Sequence, residues 1–257
     1  MEQPNGFEVF FEHPIYLKYK HHLYNHRVRQ KAILDIFNQI KPEGQTVEIG
    51  CGIAPMLEPS QPNVLFMDRS VQAIDFLKNA GFKTAFVSDA TAIALKDESC
   101  EVVISSEVLE HVPDDKVAVR EMYRILKPGG HLLMSVPIHP AYYGFDDAYV
   151  SHVRRYKVWP FLKMLRKNGF QIREIKKVTA LIDRLLLMAM VWVYNGTRME
   201  GTERKDNSLL LRRLFPFYKL ANLVLSWIVR QEAKLMPLAV TADLLVWCQK
   251  DSSPARN

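Results

Sequence analysis

The sequence predicts an α/β fold with a seven-stranded, doubly wound sheet that is mostly parallel, ends in an antiparallel strand and carries helices on both faces. Two observations lead to this prediction. Five short apolar segments alternate along the chain with segments of helical periodicity. Two more strand-like segments, Gln171–Val178 and Ala239–Cys248, then flank a long apolar stretch, which indicates a helical insertion between strands six and seven.

The length of 257 residues is sufficient for one α/β domain with an elaboration. We therefore expect a single domain made of four parts. These are an N-terminal arm and helix (1–44), a core (45–180), an apolar helical insertion or cap (181–238) and the last strand (239–249).

The amino-acid composition indicates which classes of protein the chain can belong to. Apolar residues make up 48% of the chain and charged residues 24%, as in globular proteins. The net charge of +6 suits an anionic surface, but its charges are too few and too scattered to predict a nucleic-acid partner. Cys51, Cys100 and Cys248 lack metal-ligand spacing, which favours a reduced, cytoplasmic compartment. The N-terminus does not resemble a signal peptide, and no apolar run reaches the length of a membrane span.

The first predicted elements precede the sheet. Residues 1–25 are rich in aromatic side chains and histidine, which fits either an arm packed on the core or a lid over a ligand. A helix follows, because Ile33, Ile36, Phe37 and Ile40 recur at helical spacing. Strand one is then expected over residues 45–50.

The stretch Thr46–Pro55 reads T-V-E-I-G-C-G-I-A-P, and strand one runs directly into its glycines. Gly50 and Gly52 allow a sharp turn and let a ligand lie against bare main chain. We expect Ile53–Leu57 to open a helix whose free N–H groups face that ligand. A dinucleotide fingerprint needs a further glycine where Pro55 stands, so a nicotinamide enzyme is disfavoured, and a phosphate loop is excluded because no G-K-[ST] follows.

The next strands each end in a polar residue. Strand two (63–67) ends at Asp68, and a helix is expected from Ser70 to Gly81. Strand three (83–88) leads into Asp89. Because ligands of open parallel sheets bind at the carboxyl ends of the strands, these acids are candidate ligand contacts.

Strand four (100–106) leads into the segment E-V-L-E-H-V-P-D. Asp114 and Asp115 are placed to cap the helix that follows. The turn L-K-P-G-G then enters strand five, over residues 131–136.

Together these motifs resemble the class I S-adenosylmethionine (SAM) methyltransferases of the small-molecule, lipid and quinone type, which have a Rossmann-like fold. The resemblance rests on V-E-I-G-C-G, the acid that ends strand two, S-D-A, S-S-E-V-L-E-H-V-P-D and L-K-P-G-G, and covers roughly residues 26–180. The later pattern H-x-R-R-Y…G-F is similar to that of methyltransferases of polysaccharide, lipid and quinone pathways. Ala54-Pro55, where many relatives carry a further glycine, is the one departure.

The resemblance implies methyl transfer from SAM to a small-molecule, lipid-like, glycan or quinone-type acceptor, with oxygen as the expected acceptor atom. It implies that Glu48 receives the methionyl ammonium of SAM, Asp68 the ribose, and Asp89 and Ala90 the adenine. The full set of expected cofactor contacts is Glu48, Gly50, Cys51, Gly52, Asp68, Arg69, Asp89, Ala90, Ser106 and Glu107.

On the acceptor side we expect His111 to be the catalytic base, with a structural contact as the alternative. The expected substrate contacts are His139, His152, Arg154, Arg155 and Tyr156. Surface salt bridges are the alternative role for the two arginines. Glu107, Glu110 and His111 also match a divalent-metal cluster of quinone-pathway O-methyltransferases, and the need for a metal stays open.

The insertion 181–238 is apolar on nearly all sides of its predicted helices. Three partners could cover it: the core of the domain, a second subunit of a homodimer, or lipid at the inner face of a membrane. A non-catalytic SAM-fold protein, acting as a membrane-associated scaffold, is the alternative to an enzyme.

Overall fold

The structure, a computed structural model, describes residues 20–144, 147–148, 150–188 and 208–252. Seven strands form one sheet in the order β3-β2-β1-β4-β5-β7-β6. Their bounds are β1 Thr46–Ile49, β2 Val64–Asp68, β3 Ala85–Val87, β4 Cys100–Ser106, β5 Leu126–Pro137, β6 Phe170–Thr179 and β7 Asp243–Lys250.

The pairing of the strands confirms the predicted sheet. β1 pairs in parallel with β2 and β4, β2 with β3, and β4 with β5. β7 runs antiparallel to both β5 and β6. The strand order reverses between β1 and β4, so the carboxyl ends of these two strands diverge to form the crevice in which open α/β sheets bind ligands.

Helices cover both faces of the sheet, because the central strands are apolar on both sides. Val103 of β4 faces one core cluster, which includes α3 and α4, whereas Val102 and Ile104 face the other, which includes α1, α2 and α5. The bounds of these helices are α1 Tyr24–Ile40, α2 Val71–Asn79, α3 Asp115–Ile125, α4 Val158–Lys167 and α5 Ser208–Leu235.

Two local predictions are wrong. Ile53–Leu57 does not open a helix, and residues 50–63 connect β1 to β2 through turns and bends. The N–H groups of Met56 and Leu57 donate to the Glu48 carboxylate instead of to helical carbonyls, and Pro55 has no N–H to donate. Asp114 occupies the N-cap of α3 without a side-chain capping bond, so the predicted cap is also corrected.

The predicted insertion between β6 and β7 is confirmed. It contains a helical segment at 181–188 and the long helix α5, which packs on α1. Tyr24 at the start of α1 donates its N–H to Asn222 Oδ1 at 2.9 Å. Pro216 lies inside α5. None of the described helices combines the length and apolarity needed to cross a membrane.

Some residues singled out in the sequence lie outside the described part of the chain. They are the N-terminal aromatics Phe7, Phe10, Phe11, Tyr16 and Tyr19, with Asp146, Trp192, Tyr194, Arg204 and Lys205.

Candidate active site

A cleft with a volume of about 190 Å³ opens at the carboxyl ends of β1, β2, β3 and β4. Its walls come from the ends of these strands and from the loops that follow them. The lining residues are Ile49, Gly50, Met67, Asp68, Arg69, Ser88, Asp89, Ala90, Thr91, Glu107, Val108, His111, Val112, Pro113 and Asp114. The predicted contacts Gly50, Asp68, Arg69, Asp89, Ala90, Glu107 and His111 are therefore brought together in one cleft.

The glycine turn forms the floor of the cleft. Gly50 has a φ of +67° and Gly52 a φ of +53°, a backbone conformation that favours glycine. A Cβ atom at Gly50 would lie 2.3 Å from Val108 Cγ2, so only a bare backbone fits between β1 and the segment after β4. Cys51 is buried, and burial raises the pKa of its thiol. It packs in the core and does not line the cleft.

Glu48, for which a contact with a cofactor ammonium is predicted, does not line the cleft. Its side chain is 3% exposed, and its two carboxylate oxygens accept the N–H groups of Met56 at 2.7 Å and Leu57 at 3.1 Å. Burial raises the pKa of Glu48 to about 8. The carboxyl group thus holds the loop after the glycine turn against β1.

Asp68 connects the glycine turn to the end of β2. Its Oδ2 accepts the Gly52 N–H at 2.8 Å, and its Oδ1 accepts the Ser70 N–H at 2.8 Å. Ser70 is the N-cap of α2, through a bond from Ala73 N–H to its Oγ. Each carboxylate oxygen can accept more than one hydrogen bond, so Asp68 keeps capacity for a ligand hydroxyl in the cleft.

Asp89 lies at the outer end of the cleft, after β3. Its Oδ1 accepts both the N–H of Thr91 at 2.7 Å and the Thr91 hydroxyl at 2.6 Å. These bonds lower the pKa of Asp89, so its carboxylate is charged at neutral pH. The side chain is exposed toward the solvent side of the cleft.

Glu107 forms the wall opposite Asp68. Its φ of +56° is unusual for a residue with a side chain. Two contacts to Ser135 hold this conformation: Glu107 N–H donates to Ser135 O at 3.1 Å, and Ser135 Oγ donates to Glu107 Oε1 at 2.9 Å. Burial and the nearby Asp243 carboxylate raise the pKa of Glu107. The predicted contact Ser106 bonds to Ser135 Oγ and does not line the cleft.

His111, the predicted base, lines the cleft but is a weak base. Its Nδ1 lies 3.3 Å from Ser151 O, and its ring packs perpendicular to the ring of His152 with centroids 4.7 Å apart. Burial lowers the pKa of His111 to about 3, so the imidazole is neutral at physiological pH. A base of this strength accepts a proton poorly from a hydroxyl acceptor.

Glu110, His111 and His152 could hold a metal ion, because one ligand atom of each lies within 4.8 Å of the others. Glu110 is fully buried, and neither of its carboxylate oxygens has a hydrogen-bond partner. His152 Nδ1 lies 2.7 Å from Asp147 Oδ1, the kind of contact that orients a histidine ligand. This set differs from the predicted cluster of Glu107, Glu110 and His111 in one member. Glu107 accepts a hydrogen bond from Ser135, and His152 is the third possible ligand.

The remaining predicted substrate contacts are instead engaged in the fold. Arg155 Nε donates to both oxygens of Asp147, at 2.8 and 2.9 Å. Arg154 pairs with Asp115 at 2.7 Å, and the Tyr156 hydroxyl donates to the same carboxylate at 3.0 Å.

His139 follows the same pattern, with its Nε2 lying 2.9 Å from Leu238 O. These side chains and His152 do not line the cleft. In the H-x-R-R-Y segment, both arginines therefore form salt bridges, the role given above as the alternative to binding an anionic substrate.

A second group of buried polar residues, which no sequence motif indicated, lies beside Glu107. Arg29 on α1 lies 3.9 Å from Glu107 Oε2 and 3.5 Å from Asp243 Oδ2 on β7. Asp183, 2% exposed in the helical segment 181–188, adds a third carboxylate. Because Arg29 and Asp243 are 214 residues apart in the chain, no local motif could reveal this group.

Comparison with known proteins identifies the domain that holds the cleft. Residues 47–134 match a family described as a methyltransferase domain. The chain is 29% identical over 130 residues to the demethylmenaquinone methyltransferase of Renibacterium salmoninarum. This alignment covers 49% of this chain and 54% of that protein. The chain spans between about a fifth and about half of the length of the curated relatives it matches.

Two solved structures share the fold. A SAM-dependent methyltransferase of Thermotoga maritima, described as a possible histamine N-methyltransferase, superposes with a TM-score of 0.60 at 18% identity and covers 96% of this chain and 99% of its own. Phosphoethanolamine N-methyltransferase 2 of Haemonchus contortus, in complex with SAM, gives a TM-score of 0.57 at 17% identity and covers 97% of this chain and 61% of its own. The match places a methyltransferase domain over residues 47–134, and the two solved structures confirm the predicted Rossmann-like fold.

Proposed function

We propose that this chain transfers a methyl group from SAM to a small-molecule acceptor. The observation that carries the proposal is the bare backbone of Gly50, which faces Asp68 and Glu107 across a cleft at the switch point of the sheet. When bound, SAM supplies a methyl group on a sulfonium, ready for in-line displacement. The protein then has to bind, orient and exclude water.

The residues of the cleft suit these tasks. Asp68 would accept the ribose hydroxyls, and Asp89 with Ala90 would hold the adenine at the outer end. The Gly50 backbone would lie against the methionyl part of the cofactor. Glu107 and His111, after β4, face the side where the acceptor would enter. The low pKa of His111 weakens the expectation of oxygen as acceptor atom, because that expectation relied on His111 as the base.

Calorimetry with S-adenosylhomocysteine (SAH) and NAD tests the proposal. We expect SAH to bind and NAD to give no heat of binding, since Pro55 replaces the third glycine of a dinucleotide site. If NAD binds and SAH does not, the proposed methyltransferase function is contradicted. SAH binding without transfer of label from SAM to any component of a cell extract would favour the non-catalytic scaffold.

We also infer that α5 brings the enzyme to a lipid surface that supplies a lipid-like acceptor. The amphipathicity of α5 is inverted: polar Asn222, Ser226 and Glu232 are buried. Large apolar side chains on its other side are exposed, namely Phe217, Leu220, Leu223, Val224 and Trp227. A helix face of this kind suits insertion into the interface of a bilayer. We call these five residues the α5 apolar face.

Basic side chains support an anionic lipid as partner. Lys219 and Lys234 of α5 are exposed, and Arg230 is half-buried. Each basic residue near an anionic membrane contributes about 1 kcal/mol. Leu186 of the insertion is half-buried against the core, so the 181–188 segment is partly covered by its own chain while the α5 apolar face is not. The alternative occupant of that face is a second copy of the chain.

Flotation with anionic and zwitterionic liposomes tests this part of the proposal. Trp227→Gln should lower the bound fraction on anionic liposomes by about fivefold, because Trp anchors helices at membrane interfaces. Trp159→Gln is the matched control, since Trp159 on α4 is 69% exposed and Trp227 is 61% exposed. Equal effects of the two changes, or no flotation at low salt, would contradict lipid binding. A concentration-dependent dimer lost in Trp227→Gln would identify a subunit interface.

A further inference from the structure

A buried group of charges lies on the acceptor side of the cleft, at the carboxyl ends of β4 and β6 and the start of β7. We call it the Arg29 cluster: Arg29, Glu107, Asp183 and Asp243. Arg29 extends from α1 toward Glu107 and Asp243, at 3.9 and 3.5 Å. The Asp183 carboxylate acts on Arg29 as well, and all three acids raise its pKa. The cluster thus joins four separate elements of the chain.

The charges of the Arg29 cluster do not balance. Three carboxylates surround one guanidinium. The other contacts are neutral hydroxyls: Thr179 Oγ1 donates to Asp243 Oδ2 at 2.9 Å, and Ser135 Oγ donates to Glu107. Hydroxyl groups satisfy hydrogen bonds but leave the excess negative charge in place. Buried charges are costly unless they are paired, and the raised pKa values of Glu107 and Asp183 reflect this cost. The cluster therefore either keeps a proton on one of these acids or takes up a further cation.

Unpartnered polar atoms point to the same missing group. One oxygen of Asp183, which is 2% exposed, has no hydrogen-bond partner. Arg29 Nε is buried and also lacks a hydrogen-bond partner. Buried polar atoms in folded proteins are almost always hydrogen-bonded, so these atoms indicate a polar ligand that completes the site.

The Arg29 cluster lies on the side of the cleft where the methyl acceptor is proposed to bind. Asp68 and Asp89, on β2 and β3, lie on one side of the glycine turn, whereas β5, β7 and β6 lie on the other. Glu107 belongs both to the cleft and to the cluster, and its side chain is 19% exposed. A ligand in the cleft therefore meets the cluster at Glu107, on the side of the sheet away from the predicted adenosine site.

We propose that the Arg29 cluster binds an ammonium group of the methyl acceptor, which makes the substrate an amine-bearing small molecule. This inference rests on the proposed methyltransferase function. An ammonium supplies the missing positive charge and up to three N–H donors to the carboxylates. A metal ion fits less well, because among the described residues the grouping with metal-ligand geometry is Glu110, His111 and His152, not the Arg29 cluster.

Calorimetry on the full chain saturated with SAH tests the inference, with phenethylamine and phenethyl alcohol as probes of nearly the same shape. We expect the amine to bind about tenfold more tightly than the alcohol, because only the amine makes charge-assisted hydrogen bonds. Asp183→Asn and Asp243→Asn should each reduce this ratio toward one while SAH affinity is kept. Glu174→Gln, on β6, is the control, because that carboxylate is 40% exposed and pairs with Lys176.

Each outcome decides between the two proposals. Equal affinities of the two probes in the wild-type protein, or binding of neither at millimolar concentration, overturn the inference and leave the methyltransferase proposal intact. Competition between phenethylamine and SAH also overturns it, because the cluster would then hold the ammonium of the cofactor. Failure of SAH to bind removes the methyltransferase proposal, and the amine-to-alcohol ratio is then measured without SAH. The wild-type ratio decides the question even where a variant fails to fold.

Discussion

The two sides of the cleft differ in how far their polar groups are satisfied. On the cofactor side, Asp68 accepts two main-chain N–H groups and Asp89 accepts both polar groups of Thr91. On the proposed acceptor side, Asp183 and Glu110 keep carboxylate oxygens without hydrogen-bond partners. Local backbone turns therefore satisfy Asp68 and Asp89 without a ligand, whereas the proposed acceptor side combines distant elements, and the proposed ammonium group would complete it.

Among the variants that test this difference, Gly50→Ala is expected to have the largest effect on stability and on SAH affinity. The added Cβ would lie 2.3 Å from Val108 Cγ2, at a φ of +67°. Overpacking and backbone strain together should cost about 2–4 kcal/mol of unfolding free energy. SAH affinity should fall by more than an order of magnitude, because the floor of the cleft is displaced. Urea denaturation and calorimetry measure the two effects.

Gly81→Ala separates the clash from the strain. Gly81 has a φ of +97°, but a Cβ there would meet nothing within 4 Å. This control should lose only about 1–2 kcal/mol, the strain of a left-handed residue, and keep its SAH affinity. Adding Val108→Ala to Gly50→Ala should restore part of the lost stability. If the two glycine variants behave alike, close packing is not what fixes the floor of the cleft.

The next largest effect is expected at Asp68. This residue accepts the N–H groups of Gly52 and Ser70 and is also proposed to bind the ribose of the cofactor. Asp68→Ala should weaken SAH binding by about 1–3 kcal/mol, the usual loss for a hydrogen bond to a charged group. Asp75→Ala is the control, because Asp75 is exposed on α2, the helix that begins just after Asp68. Calorimetry with SAH gives the comparison. Unchanged affinity in Asp68→Ala would restrict this residue to holding Gly52 and Ser70.

The sequence predicted that Gly50, Asp68 and Asp89 meet in one cleft, because these residues are local to strand ends. Gly50, Asp68 and Asp89 each follow a recognisable apolar strand, and parallel strands bring such positions to one edge. The contacts of Glu48 could not be predicted, because the sequence does not show that the N–H groups of the following loop donate to its carboxylate. That loop is irregular where a helix was expected.

Two physical reasons explain why the sequence did not indicate the side-chain contacts on the proposed acceptor side. Arg155 and His152 looked like substrate contacts, but Asp147 lies only eight and five residues away in the chain and binds both. Arg29 and Asp243, in contrast, meet only in the folded chain. Long-range ion pairs leave no spacing signal in a single sequence, so the Arg29 cluster required the structure.

A smaller effect should appear in the pH dependence of stability. Burial, with Asp243 nearby, raises the pKa of Asp183 to about 7, while Arg29, Tyr24 and Thr179 oppose the rise. The folded state therefore binds this proton more tightly than the unfolded state, so stability is lost as pH rises from about 4 to about 7. Asp183→Asn should remove about 1–3 kcal/mol of that loss. Urea denaturation at pH 5 and pH 8 measures the change.

Glu174→Gln serves as the control for this titration as well, since its carboxylate is partly exposed. The control should follow the wild-type pH profile. A profile of Asp183→Asn that is parallel to the wild-type profile would show that Asp183 is already charged in the folded protein. A bound cation would then be required to stabilise the Arg29 cluster at neutral pH.

The smallest expected effect is the absence of a titration at His111. With a pKa of about 3, its imidazole should stay neutral from pH 5 to pH 8, and its ring resonances in NMR spectra should not shift. His111→Gln assigns the resonance. Addition of Zn²⁺ to the wild-type protein should shift the resonances of His111 and His152 together if Glu110 and the two histidines bind the ion, since neutral imidazole is the form that ligates metals. A titration midpoint near 6.5 would instead return His111 to the role of general base, and oxygen would again be the expected acceptor atom.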